Sequence, residues 1–109
     1  DDQIEIEFLG KRKRLQHLLK YEGYPVEHYD FLDIEYSEEF DFFLYEDIGY
    51  AFLTNLTMGL FASPYAATSL NEYFADGFEE YFLRDRQYLL KVSPNIHRKI
   101  ENLLIINDF

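Results

Sequence analysis

Several residue types are missing or scarce in this 109-residue chain. It contains no cysteine and no tryptophan, and only three prolines and five glycines. Without cysteine it can form neither a disulfide nor a thiolate metal site, and both a secreted and a cytoplasmic location remain open. We find no signal peptide pattern. No apolar run approaches the roughly 20 residues that a membrane-spanning helix needs, so we expect no membrane span.

Positive charge is also scarce. Ten Lys and Arg residues stand against 21 Asp and Glu residues, which gives a formal net charge of −11. The stretch from Tyr21 to Leu83 contains fourteen acidic residues and no Lys or Arg. Nucleic-acid binding needs clustered basic residues, so we expect no nucleic-acid partner. The charge favours a basic protein partner or a cation. The alternative is a solvated acidic surface that keeps an aromatic-rich chain soluble.

Apolar and aromatic side chains are abundant. They make up 48% and 19% of the residues, which is ample for a hydrophobic core. Together with the length of the chain, this predicts a single domain over residues 1–109. The basic cluster KRKR at 11–14 is expected to be solvated.

The pattern of apolar residues predicts a mostly helical α+β fold. QIEIEF at residues 3–8 alternates polar and apolar positions, which is the period of a half-buried strand, and Gly10 follows it. From residue 11 to about residue 22 the leucines recur with helical spacing. We therefore expect an N-terminal strand followed by a helix.

Three serines mark further helix starts. Ser37 precedes an amphipathic helix predicted over 38–53. Ser69 opens a capping box at the start of an aromatic-rich helix. Ser93 precedes Pro94, and proline is well tolerated in the first turn of a helix.

The helix after Ser69 carries Glu72, Asp76 and Glu79 on one face, at i, i+4 and i+7. Glu72 closes the capping box, which is a common structural role. Acids at i, i+4 repel each other slightly unless a positive group lies nearby. The acids are therefore either a solvated helix face or a site for a positive group such as a metal ion.

Residues 63–104, SPYAATSLNEYFADGFEEYFLRDRQYLLKVSPNIHRKIENLL, resemble the C-terminal half of the anthrax toxin lethal factor-like zinc peptidases. The matching pieces are Tyr65, EYFAD at 72–76 and LLKVSPNIHRKIENLL at 89–104, and SEEFDFFLYED at 37–47 resembles the S-x-x-F helix of that family. The pieces span more than half of the chain. The resemblance implies a zincin-like α+β domain, with a helical lobe and at least one N-terminal strand.

The resemblance also implies roles for individual residues. In that family a helical glutamate is the third zinc ligand, beside the two histidines of an H-E-x-x-H helix whose glutamate is the general base. A tyrosine stabilises the oxyanion. Carried over to this chain, Glu72 would bind zinc, Tyr65 would be the oxyanion donor, and Asp76 would orient a ligand histidine.

This chain departs from the family because it has no H-E-x-x-H motif. His17 matches the second histidine, but Lys13 replaces the first and Arg14 replaces the general base, giving KRLQH. His17 and Glu72 alone fall short of the three protein ligands of a catalytic zinc site. The two basic residues would repel zinc, and we expect them to pair with Glu72 and Asp76 instead.

Three functions compete. The first is a degenerate, toxin-related metallopeptidase-like domain, a pseudoenzyme that acts as a protein-binding module without zinc or proteolysis. The second is a zinc endopeptidase whose H-E-x-x-H helix is absent from this chain or whose ligands are unusual, with His28 as a stray ligand. The third is an acidic inhibitor that imitates nucleic acid, with an affinity for its basic partner that falls steeply with salt. We expect the first, with a protein partner and no cofactor.

Overall fold

The first helix of the structure, α1, spans Asp2–Tyr21, where the sequence predicted a strand followed by a helix. The structure is a computed structural model that describes residues 2–107. Within these residues it contains helices and turns but no strand. The predicted α+β, zincin-like fold with an N-terminal strand is therefore wrong, because this part of the chain is all-helical.

The alternating pattern at residues 3–8 was misleading because it also fits a helix. Ile4 and Phe8 are four residues apart and both are buried, whereas Ile6 between them is 68% exposed. A strand would place all three on one face, but a helix buries only the i, i+4 pair. Gly10 lies on the exposed side of α1 and does not end it. The buried face of α1 continues through Arg12, Leu15 and Leu19.

The other elements follow in chain order. They are a 3₁₀ turn Val26–His28, α2 Glu38–Phe42, a π-helical turn Phe43–Ile48, α3 Tyr50–Leu56, a 3₁₀ turn Pro64–Ala67, α4 Leu70–Leu83, α5 Arg86–Val92 and α6 Pro94–Asn107. In the described part of the chain, the hydrophobic core takes residues from each of the helices α1 to α6. Among residues 2–107, no helix has the length and apolar character needed to cross a membrane.

The helix predicted over 38–53 is interrupted. Ser37 caps α2 as predicted, since its Oγ accepts a hydrogen bond from the N–H of Phe40 at 3.2 Å. The chain then widens into the π-helical turn, where the N–H of Gly49 donates to the carbonyl of Leu44, five residues back, at 3.0 Å. Gly49 has a φ of 85°, a left-handed conformation that glycine adopts readily, and α3 begins beyond it.

This interruption shifts the buried face by one residue. Uninterrupted helical spacing places Phe52 on the buried face, yet Phe52 is 38% exposed and Leu53 is fully buried. A π-helical turn accommodates one more residue than an α-helical turn. The periodicity therefore predicts the segment to be helical but assigns the wrong buried residue after the turn.

Helix α4 occupies the centre of the contacts among the helices. The Oγ of Ser69 accepts the N–H of Glu72 at 3.1 Å, which confirms the predicted cap. The helix packs against α1, α5, α6 and the turn Pro64–Ala67. A Cβ atom on Gly77 would lie 2.5 Å from Cγ2 of Ile96. Glycine therefore permits the close approach of α4 and α6.

Helix α5 was not predicted. The Oδ1 of Asp85 caps it by accepting the N–H of Tyr88 at 3.0 Å. Its seven residues bury only Leu89 and Val92, which are too few to reveal a period. Helix α6 begins at Pro94, as predicted.

The basic cluster at 11–14 is not fully solvated, as the sequence predicted it to be, because Arg12 is buried. It is 1% exposed, and its guanidinium carbon lies 4.1 Å from the ring centroid of Phe40, a cation–π geometry. It donates to the carbonyls of Ala67 at 3.0 Å and Asp30 at 3.3 Å. Burial lowers the pKa of Arg12 to about 10, so the side chain remains cationic at neutral pH.

Candidate cation-binding cleft

The three residues to which the resemblance gives roles as zinc ligand, oxyanion donor and orienting acid line one cavity. Tyr65, Glu72 and Asp76 surround a volume of about 280 Å³. The remaining lining residues are Ala75, Glu79 and Arg84. The two acids of α4 share a face because they are four residues apart, and the turn Pro64–Ala67 packs on α4 and brings Tyr65 to them. We refer to this cavity as the cleft.

Asp76 is a buried carboxylate that is only partly satisfied. The residue is 6% exposed. Its Oδ1 accepts hydrogen bonds from the hydroxyl of Ser63 at 2.7 Å and from Nη2 of Arg84 at 2.8 Å. Its Oδ2 is buried and has no hydrogen-bond partner. Buried polar atoms are normally hydrogen-bonded, so an unpartnered carboxylate oxygen marks a place that could accept a donor.

Arg84 is the basic side chain of the cleft. It pairs with Asp76 at 2.8 Å, with Glu80 at 3.1 Å and, at the longer distance of 3.8 Å, with Glu79. Desolvation lowers its pKa, but the hydrogen bond to Asp76 and the charges of the three acids outweigh this and raise the pKa of Arg84. One guanidinium thus faces several carboxylates, and the cleft stays negative.

A row of tyrosine rings borders the cleft. The ring centroid of Tyr65 lies 4.7 Å from that of Tyr50, which in turn lies 4.7 Å from that of Tyr45. Tyr65 is 54% exposed and Tyr45 is 52% exposed. Burial is the largest cause that raises the pKa of Tyr50 to about 12, followed by the charge of Asp41 and by the neighbouring tyrosines.

Tyr36 lies close to acids of both α2 and α4. Its hydroxyl donates to Oδ2 of Asp41 at 3.3 Å. Desolvation, Asp41, Glu38 and Glu72 all raise the pKa of Tyr36, so acids of α2 and α4 act on the same phenol. We call this surface the acidic–aromatic face. It consists of Tyr36, Asp41, Tyr45, Tyr50, Tyr65, Glu72, Asp76 and Glu79.

The cleft does not fit the zinc site that the resemblance implies. Within residues 2–107, no three His, Asp or Glu side chains are grouped so that they could hold a metal ion. Oδ1 of Asp76 is engaged by Ser63 and Arg84 rather than by a ligand histidine. His17 is not among the residues that line the cleft.

The remaining predicted residues lie elsewhere. Lys13, Arg14 and His17 are exposed on α1, and the cation that pairs with Asp76 is Arg84. His28 is exposed and lies 3.9 Å from Glu27.

Sequence reasoning missed Arg84, Ser63 and the tyrosine row. The spacing of Glu80 and Arg84, four residues apart, was a signal for their ion pair. Ser63 and Tyr50 carry no comparable signal, because they reach the cleft only through the packing of the turn Pro64–Ala67 against α3 and α4.

No protein-family model matches this chain, and no curated protein and no solved structure matches it either. The resemblance to the lethal factor-like zinc peptidases therefore stays a prediction from the motifs.

Proposed function

We propose that this domain is a protein-binding module whose acidic–aromatic face takes up a basic segment of a partner protein. The observation that carries the proposal is the cleft itself, in which Glu72, Asp76 and Glu79 of α4 lie together with Tyr65, the last ring of the tyrosine row. Arg84 is the single basic residue among the six that line the cleft.

The chemistry of this face suits Lys and Arg side chains. Carboxylates attract the cationic heads, and exposed tyrosine rings add cation–π contacts. The same side chains are the ones that the central stretch, Tyr21 to Leu83, lacks altogether. A field of one sign also steers an oppositely charged partner towards the surface and raises its association rate.

The proposal retains the protein-binding role predicted from the sequence, because that role does not depend on the zincin fold. A protein-binding module and an acidic inhibitor that blocks its partner would both use this face. They differ in the partner, whereas the type of contact is the same.

The test is binding of two labelled peptides of equal length, one rich in Lys and Arg and one with Asp and Glu in their place. We expect only the basic peptide to bind, with a dissociation constant that rises steeply with salt, because exposed charges are screened. Fluorescence anisotropy over a salt series measures it.

A pair of double variants separates the face from the net charge. Glu72→Gln/Glu79→Gln removes two charges from the face, and Glu22→Gln/Glu27→Gln removes two exposed charges elsewhere. We expect only the first pair to weaken binding substantially. Equal losses in both pairs, or no binding of the basic peptide, would contradict the proposal.

A further inference from the structure

We infer that the cleft is an arginine pocket, in which a guanidinium of the partner's basic segment donates hydrogen bonds to Asp76 and Glu72 beside the ring of Tyr65. The inference rests on the proposed function and names the side chain that the acidic–aromatic face selects. Three features of the cleft carry it: an unused acceptor, a bound guanidinium and a size that suits one side chain.

The unused acceptor is Oδ2 of Asp76. It is buried and lacks a partner, while the other oxygen of the same carboxylate holds two hydrogen bonds. Leaving a buried charged acceptor unpaired costs free energy that a donor from outside would recover. Asp76 lines the cleft, so a donor that enters there can reach this carboxylate.

Arg84 demonstrates that Asp76 accepts a guanidinium. Its Nη2 lies 2.8 Å from Asp76, and its Nε lies 3.1 Å from Glu80. Two separate N–H groups of one planar fork thus meet two carboxylates, and the compact ammonium of lysine lacks this rigid fork.

Arg84 already holds the other oxygen of this carboxylate, Oδ1, at 2.8 Å. Oδ2 is covered from solvent, but the side chain of Arg84 is 39% exposed and lies just beyond the end of α4. When Arg84 shifts towards Glu79 and Glu80, it releases Oδ1, and the entering guanidinium pairs with both oxygens of Asp76. The partner's arginine and Arg84 therefore compete for the same carboxylate.

The size and charge of the cleft agree with one arginine. Its volume of about 280 Å³ leaves room for one side chain. Glu72 and Glu79 are exposed at its rim and add negative charge. Tyr65 is half exposed beside them and offers an aromatic surface to the planar group.

The experiment uses three versions of one lysine-flanked peptide, with arginine, lysine or citrulline at the central position. Citrulline has nearly the shape of arginine without its charge. Isothermal titration calorimetry with the wild-type domain is expected to give the tightest binding for arginine, with the citrulline version about tenfold weaker and the lysine version between them.

Three variants test the roles of individual residues. Glu72→Gln is expected to weaken binding of the arginine peptide by about tenfold. Arg84→Ala removes the competing guanidinium and is expected to strengthen binding by a similar factor. Glu22→Gln, an exposed acid outside the face, is expected to have no more than a small effect. Thermal melting checks that each variant is folded, and Glu72→Gln changes only an exposed side chain.

Each outcome decides between the two proposals. Equal affinities for the arginine and lysine peptides would overturn the arginine pocket and leave the acidic–aromatic face as a general binder of basic segments. Weaker binding by folded Arg84→Ala would overturn the competition at Asp76. Failure of all three peptides to bind would overturn the inference together with the proposed function.

Discussion

The hydroxyl of Tyr73 lies 2.6 Å from Oε1 of Glu7, although 66 positions separate the two residues in the chain. Because a carboxylate can only accept, Tyr73 donates this bond, and its oxygen lies 2.8 Å from the hydroxyl of Ser93. The second oxygen of Glu7 accepts the N–H of Asn95 at 3.0 Å. One carboxylate on α1 thus accepts hydrogen bonds from α4 and from the start of α6.

Tyr73→Phe removes the hydroxyl of this network and little else. We expect the free energy of unfolding to fall by about 2 kcal/mol, as is usual for a lost hydrogen bond to a charged group. Urea denaturation measures it. The matched control is Tyr21→Phe, since Tyr21 is 89% exposed and its stability change should be within about 0.5 kcal/mol. Similar losses in both variants would contradict the role of the network.

Alkaline pH should destabilise the fold through Tyr73 and Tyr50. Burial is the main cause that raises the pKa of both phenols above the ordinary value of 10.0, for Tyr50 to about 12. Above pH 10 the unfolded chain releases these protons while the folded chain keeps them. The folded state then binds more protons than the unfolded state, and stability falls as pH rises.

Tyrosinate absorbance checks this prediction against circular dichroism. Tyr73 and Tyr50 should ionise last, together with the loss of helical signal. If the ionisation of all ten tyrosines is complete near pH 10 while the helices persist, burial does not raise the pKa of Tyr73 and Tyr50.

Arg12→Ala should destabilise the fold far more than Arg14→Ala, the same substitution two positions along α1. Arg12 is 1% exposed and donates to two backbone carbonyls, whereas Arg14 is exposed on the same helix. The loss combines a large cavity with unpaired carbonyls, so we expect about 3 kcal/mol for Arg12→Ala. Arg14→Ala should change stability by less than about 0.5 kcal/mol. Chemical denaturation of the two variants compares them directly.

The purified domain is expected to retain no stoichiometric zinc after exposure to the metal and dialysis. Asp76 is already engaged by Ser63 and Arg84, and His17 does not line the cleft. Elemental mass spectrometry measures the zinc content. Stoichiometric zinc that disappears in Glu72→Ala and persists in the control Glu22→Ala would instead favour a zinc endopeptidase.

Local signals predicted parts of the fold well. The caps at Ser37 and Ser69 and the helix start at Pro94 depend on residues within a few positions of one another, and the structure contains all three. The strand at residues 3–8 failed because six residues are too few to distinguish an alternating pattern from the i, i+4 pair Ile4 and Phe8. The surrounding core selects the helix over the strand, because the core buries Phe8 completely and leaves Ile6 in solvent.

The cleft, too, was predictable from the sequence only where it depends on local spacing. Glu72 and Asp76 share a helix face by spacing alone, so the sequence could place them together. The cation beside Asp76 could not be chosen from the sequence. Lys13 and Arg14 were plausible, but α1 turns both of them outward and buries Arg12. Arg84 reaches Asp76 from eight positions away, beyond the last residue of α4.

The sequence by itself determined the excess of acidic residues, the helix caps and the shared face of the acids, because composition and helical spacing depend only on the order of residues. Only the tertiary structure decided which cation pairs with Asp76, which carboxylate oxygen is left without a partner, and that tyrosines from three segments form a row. These features arise where segments distant in the chain pack together, and the packing depends on the whole core at once.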